Sequence, residues 1–335
     1  MNWYLQSGKD SDVVISTKIK FSRNLQGFKF NLKTKKEIEE LKNKIKENVY
    51  AFGYDLKYLE LKDMDEITIQ SLVEKDLISE GFAQNKNGAI LINDEENICI
   101  MINNEDHLEI QIFSSGLELE NTLNYGIELD KKIEDVLGYA TSQKYGYLTS
   151  LPTNCGTGLK VFVKVHLPAL VLTNNVDKMF YAINNFGINI FDLNTNRNTK
   201  HGDTFGISNK RTLGITENDI IENIKIVTDK VIDEERKTRK LLADESIELE
   251  DTIYRSYGLL SNARKISLDE TKILLSNIKM GTDLGILDEL NDKKVQELYL
   301  YTQDANMQKY IGKQIDKIDL DVNRAKVIKN IINEK

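Results

Sequence analysis

The turn Asn103–His107 gathers Asn104, Glu105, Asp106 and His107 between two apolar runs. A carboxylate in such a turn can accept a proton or orient a cationic partner. A solvated loop acid has the same composition. His107 and His166 read as hydrogen-bonded structural histidines, because no third ligand stands at metal spacing. Cys99 and Cys155 are the only cysteines, so neither a disulfide framework nor a cysteine-based zinc site can be built. Cys155 has no basic neighbour in sequence and reads as a packed small residue, not a nucleophile. Gly156, Thr157 and Gly158 form a tight turn that by itself is a weak phosphate-loop signal. The run Asp233–Lys240 is most simply a solvated helix face.

These residues must be positioned by a chain of 335 residues, enough for one large domain or two ordinary ones. Acidic residues outnumber basic ones, 53 to 45, for a net charge of −8. That argues against a broad grip on nucleic acid or an anionic membrane. No apolar run approaches a membrane span, and the N-terminus carries no export signal, so a reducing cytoplasm is expected. The basic residues include only eight arginines: Arg23, Arg197, Arg211, Arg236, Arg239, Arg255, Arg264 and Arg324. A general drift toward lysine is therefore a bland account of any single missing arginine.

Thr34 and Glu37 cap a predicted helix from about Lys35 to Phe52, and Gly53 ends it. Ala89–Ile92, Ile98–Ile102 and Leu108–Ile112 read as strands broken by polar turns. Asp130–Tyr139 and Ala169–Asn185 read as helices, Val161–Val165 and Gly187–Phe191 as strands, and residues 192–204 as a loop. Ile220, Ile224, Val227 and Val231 mark a long helix capped by Thr216. Further helices are expected after the box Ser267/Glu270 with Gly281 beyond the last turn, at Asp292–Thr302 and at Val322–Ile332. The best domain boundary lies in the acidic stretch near 243–250, giving a mixed α/β part, 1–242, and a helical part, 243–335.

Several segments together resemble the phosphagen (guanidino) kinase family and, within it, bacterial protein-arginine kinases of the McsB type. They are VVISTKIKFSRN (13–24), LISEGFAQ (77–84), NNEDHLEIQ (103–111), GYLTSLPTNCGTGLKVFVKVHLPAL (146–170) and GDTFGISNKRTLG (202–214). The resemblance implies a curved antiparallel sheet flanked by helices, followed by a helical C-terminal domain. It implies transfer of the γ-phosphoryl of ATP to arginine side chains, with Mg2+ on the nucleotide. Such a reaction is governed by positioning and by neutralisation of phosphate charge. By this resemblance Glu105 is the carboxylate that orients the target guanidinium. Ser16, Thr17, Lys18, Ile19 and Lys20, with Lys160, Val161, Phe162, Val163 and Lys164, are the nucleotide-binding segments.

The chain departs from the family pattern at several of these places. Lys18, Lys20 and Lys160 stand for arginines, Glu109 for the arginine of N-E-E-D-H-L-R, and Leu151 for a reactive cysteine. Asp76 replaces a histidine. Ungapped alignment of the loop before Gly202 puts Phe191 at an arginine and Asn196 at a glutamate, with Arg197 beside it. In the R-D-x-x-R-A motif that binds phosphoarginine, Asp321 and Arg324 remain and Leu320 replaces the first arginine. These charge losses imply a weak or inactive kinase with a regulatory role in protein quality control and the stress response. The alternative is a fully active enzyme that holds phosphate with lysines. The implied partners are proteins carrying arginine or phosphoarginine, a zinc-binding activator, a stress-gene repressor and a Clp unfoldase, with a homodimer formed through the helical domain.

Overall fold

Alternation of apolar and polar side chains builds the central sheet. On β1 (Val14–Arg23), Ile19 and Phe21 point to one face, and Lys18 and Lys20 to the other. A computed structural model describes residues 2–184, 187–193, 202–245 and 247–334. The other strands of this sheet are β2 (Lys57–Glu60), β3 (Ala89–Ile92), β4 (Ile98–Ile102), β5 (Leu108–Ser115), β6 (Leu159–His166), β7 (Ile188–Asp192) and β8 (Thr204–Asn209). They form one antiparallel sheet in the order β2-β3-β4-β5-β1-β6-β8-β7.

One face is covered by α1 (Lys35–Asn48), α3 (Leu119–Leu137) and α5 (Glu217–Glu245). Ile19, Phe21, Val161, Val163 and Val165 meet Leu123, Leu129, Ile133, Ile224 and Val231 there. Gly126 of α3 lets the helix close on Phe21, since a Cβ at that position would lie 2.8 Å from the ring. Among the described residues, α2 (Glu66–Glu74) and the segment Leu77–Phe82 pack directly on only half the width of the opposite face. Ile90, Ile92, Cys99, Met101 and Phe113 lie beneath them. The other half, from β1 to β7, carries the lysines.

The helical part has its own core, built by α6 (Ile247–Asn262), α7 (Leu268–Asp283), α8 (Asp292–Tyr301), α9 (Asp304–Ile311) and α10 (Leu320–Asn333). No described helix is long and apolar enough to cross a membrane.

The expected Asp130–Tyr139 helix starts earlier, at Leu119, because Leu119, Leu123, Leu129, Ile133 and Leu137 make one buried stripe. The expected helix Ala169–Asn185 is two short helices, Pro168–Leu172 and α4 (Val176–Asn184). Asn174 takes a left-handed conformation (φ 55°) and ends the first. The proposed boundary near 243–250 falls where α5 ends and α6 begins. Gly281 lies inside α7 rather than beyond it, with Ile253 only 2.4 Å from where a Cβ would stand.

Candidate active site

Antiparallel pairing sets the site's lattice. Lys20 stands opposite Lys160, Lys18 opposite Phe162, and Ser16 opposite Lys164. Directly paired residues share a face, so these side chains all project from the open half of the sheet. Farther out, Lys164 pairs with Gly206, and Gly206 with Phe191. The ring of Phe191 lies over Gly206, filling the space where a Cβ would be 2.6 Å away.

Each ammonium has a different environment. Lys20 Nζ donates to Glu109 Oε2 at 2.9 Å, and Asn104 Nδ2 donates to Glu109 Oε1 at 2.9 Å. Glu109 itself is 1% exposed. Lys164 pairs with Asp76 at 2.8 Å. Lys160 donates to the carbonyl of Asn209 at 3.0 Å. Lys18 lies over the rings of Phe162 and Phe113, 5.0 and 5.7 Å from their centroids.

Burial pushes the Lys18 ammonium below its usual range and the charges of Lys20 and Lys164 add to this, while Asp76 opposes it. Burial, then Lys20, also lowers Lys160. Burial alone would raise Asp76, but Lys164 and Lys18 outweigh it and hold the carboxyl below 3.8. The face therefore carries four ammonium groups against two carboxylates, and an anion with spread charge suits it.

Not every residue of the expected nucleotide segments faces this site. Ile19, Val161 and Val163 are fully buried in the core on the other side of the sheet. Thr17 also points away from the lysines: its hydroxyl donates to Gly116 O and accepts from the Glu118 N–H. Only the alternate residues Ser16, Lys18, Lys20, Lys160, Phe162 and Lys164 present side chains to the lysine face, because a strand shows every second residue to one side.

Glu105 is exposed in the turn joining β4 to β5. The turn is pinned from below. The Asn24 amide donates to Asp106 at 2.7 Å and accepts the His107 N–H at 2.9 Å. His107 Nδ1 accepts the Leu25 N–H, so its Nε2 is left to donate to Lys29 O. Burial lowers the His107 pKa and keeps the ring neutral. His107 thus holds the turn in place, and His166 is likewise buried and bonded, to Ser276 Oγ at 2.8 Å. Among the described residues no group of three or more metal-ligating side chains assembles.

The Gly156–Gly158 turn is occupied internally. The Thr157 N–H donates to Thr212 O, and Arg23 donates to Thr157 O. Arg23 also forks onto Asp130 and lies 3.6 Å from the Tyr147 ring centroid. Leu151 is exposed, and the Cys155 thiol lies 3.3 Å from the Thr149 hydroxyl. Asn196 and Arg197 lie outside the described residues.

In the helical part Arg324 is enclosed. It donates to Thr302 O at 2.9 Å, Ile266 O at 2.8 Å and Asp321 at 2.7 Å, and it pairs with Asp304. Its guanidinium ties three segments of the domain together, so the expected phosphoarginine contact by Asp321 and Arg324 would have to break these bonds.

Sequence reasoning missed Glu235, placed within a run read as a solvated face. Its carboxylate is buried and accepts the N–H groups of Ala169 and Leu170, both at 3.0 Å. It caps the short helix of the HLPAL segment. The available signal was the i,i+4 pair with Arg239, which is itself buried. A cavity of about 520 Å3 lies between the lysine face and the helical part, with Ser16, Asp76, Lys164, Lys272 and Tyr299 among its walls.

Known proteins resemble this chain in sequence and in fold. The family described as "ATP:guanido phosphotransferase, C-terminal catalytic domain" matches residues 37–238, and the "Protein-arginine kinase McsB C-terminal domain" matches residues 246–335. A protein-arginine kinase of Halothermothrix orenii is 40% identical over 336 residues, covering 99% of this chain and 96% of its own. One from Listeria welshimeri is 38% identical over 337 residues, covering 100% and 97%. Among solved structures, the duplicated taurocyamine kinase of Schistosoma mansoni superposes with a TM-score of 0.63 at 21% identity, over 87% of this chain and 41% of that longer one. A lombricine kinase superposes with a TM-score of 0.58 at 22% identity, over 71% and 69%. The structural likenesses speak to the fold, and the sequence relatives to the family. From its sheet to its last helix, this chain belongs to the protein-arginine kinase family.

Proposed function

We propose that the chain is an ATP-dependent protein-arginine kinase with a lysine-based and weakened phosphate site, serving in regulated protein quality control. The observation that carries this is the convergence of Lys18, Lys20, Lys160 and Lys164 on one open sheet face, beside the turn that bears Glu105. Ammonium groups neutralise phosphate oxygens as point charges but lack the fork of a guanidinium. Lys20 and Lys164 are already paired with acids, so the grip on a triphosphate is reduced.

Lys18 and Lys160 hold phosphate oxygens, and Phe162, directly opposite Lys18, shares their face. Glu105 accepts a hydrogen bond from the target guanidinium and takes its proton as the terminal nitrogen attacks the γ-phosphorus. The N–P bond forms, the P–O bond to the β-phosphate breaks, and ADP leaves. Magnesium suits a site without a carboxylate cage, because it is commonly carried on nucleotide oxygens and there neutralises charge.

Calorimetry with Mg-ATP is expected to give a dissociation constant on the order of millimolar. Labelled ATP is expected to leave acid-labile phosphate on an arginine-rich protein. Glu105→Gln should lower that rate by about 100-fold or more while leaving the Mg-ATP affinity unchanged. Absence of acid-labile label at any ATP concentration would sink the transfer reading. The second reading, a non-catalytic relative that binds protein partners, draws on the same two committed lysines. On either reading, the zinc-binding activator, stress-gene repressor, Clp unfoldase and homodimerisation implied by resemblance are the partners proposed.

A further inference from the structure

We infer that Glu109 is a positioning residue of the nucleotide site that acts through Lys20. It withholds that ammonium from phosphate by anchoring it to the turn that carries Glu105. This rests on the lysine face being the phosphate site, and it says which of the lysines does the work.

The geometry is specific. The two Glu109 carboxylate oxygens are divided between Lys20 and the Asn104 amide, each at 2.9 Å. Asn104 neighbours Glu105, so one buried acid joins the middle of β1 to the carboxylate-bearing turn. Glu109 is 1% exposed and the Lys20 side chain 17% exposed. Moving Lys20 to a phosphate would strip a buried carboxylate of its counter-charge, which is strongly unfavourable. Asn104 is a neutral donor and cannot replace that charge. The three side chains thus form a nearly neutral, satisfied unit in the site's wall, and not a bare acid facing the triphosphate. The working cations are Lys18, which among the described residues lies over two aromatic rings and makes no ion pair, and Lys160, which spends a donor on a backbone carbonyl.

Two measurements on the full-length chain test this. The first is acylation of lysines by an amine-reactive ester, read by mass spectrometry with and without Mg-ATP near saturation. In the wild type, Mg-ATP should lower labelling of Lys18 and Lys160 and leave Lys20 unchanged. The second is calorimetric Mg-ATP affinity of Glu109→Gln, which keeps the shape and an acceptor for Asn104 but removes the charge that holds Lys20. Affinity should rise five-fold or more, and Mg-ATP should now protect Lys20. A merely structural Glu109 would change the melting temperature and neither of these readouts.

Protection of Lys20 in the wild type to the same degree as Lys160 overturns the inference, and needs no variant to fold. So does a folded Glu109→Gln with unchanged affinity and unchanged Lys20 labelling. If the wild type binds no measurable Mg-ATP, the nucleotide reading of the native site fails. The role of Glu109 then stands if Glu109→Gln brings binding into range and falls if it does not.

Discussion

Lys18 keeps a positive charge but sits in an aromatic and buried setting. It is flanked by Phe113 and Phe162, and burial followed by the Lys20 and Lys164 charges lowers its pKa below 10.5. As pH rises through the range just below 10.5, the folded chain loses this proton before the unfolded chain does. The unfolded state then binds more protons, so folding stability rises across that interval. On the proposed reading nucleotide binding should move the opposite way, because deprotonation of Lys18 removes a positive charge from the lysine face. Mg-ATP affinity should therefore fall as pH rises through the range below 10.5, and the slope should flatten in Lys18→Met. Calorimetry across that range checks both. An affinity independent of pH would remove Lys18 from the phosphate site.

At the scale of elements, the turn after β6 is held by groups far away in sequence. His166 Nε2 donates to Ser276 Oγ at 2.8 Å, and Ser276 Oγ donates to Asp203 at 2.6 Å. Arg239 stands beside the other ring nitrogen, at 3.4 Å, and itself pairs with Glu235 and Asp283. Burial first, then the Arg239 and Lys279 charges, pushes His166 well below 6.5, so the ring is neutral when folded. The unfolded histidine takes up a proton near its ordinary value, and the folded one refuses it. Stability is therefore lost as pH falls below about 6.5, by up to about 1.4 kcal/mol per pH unit for one such group. His107 is depressed by burial too and adds to the same trend. Denaturant midpoints at pH 7.5 and 5.5 should differ in this direction, and His166→Gln should reduce the difference. An unchanged difference in His166→Gln would assign the effect to other groups.

At the scale of the molecule, Glu74 joins the two halves. Its carboxylate, at the end of α2, accepts the N–H groups of Ala305 and Asn306 at the start of α9, both at 2.8 Å. Nearby, Ser71 donates to Asn306 at 2.7 Å. Asp76, two residues beyond Glu74, pairs with Lys164 on the lysine face. One helix end therefore touches both the helical domain and the lysine face. Glu74→Ala removes an acceptor from two helix-start donors, a loss of about 1–2 kcal/mol. Chemical denaturation should then show the helical part unfolding earlier, read by tyrosines such as Tyr299 and Tyr301. A single transition with an unshifted midpoint would deny the joint this role.

Local chemistry made much of this legible in sequence. The capping box Thr34/Glu37, the strands Ala89–Ile92 and Ile98–Ile102, and the long helix behind Thr216 follow from spacing within a few residues. The family resemblance carried by the segments around Ser16, Glu105 and Lys160 is also legible in the sequence. Tertiary structure decided what those residues do. Strand alternation divided the expected nucleotide segments, sending Ile19, Val161 and Val163 into the core and Lys18, Lys20, Lys160 and Lys164 to the open face. Pairing across 89 positions put Lys20 on Glu109, and folding of the helical domain enclosed Arg324. Charge and periodicity are written along the chain, but counter-ions come from strands and helices distant in sequence, and only the packed molecule names them.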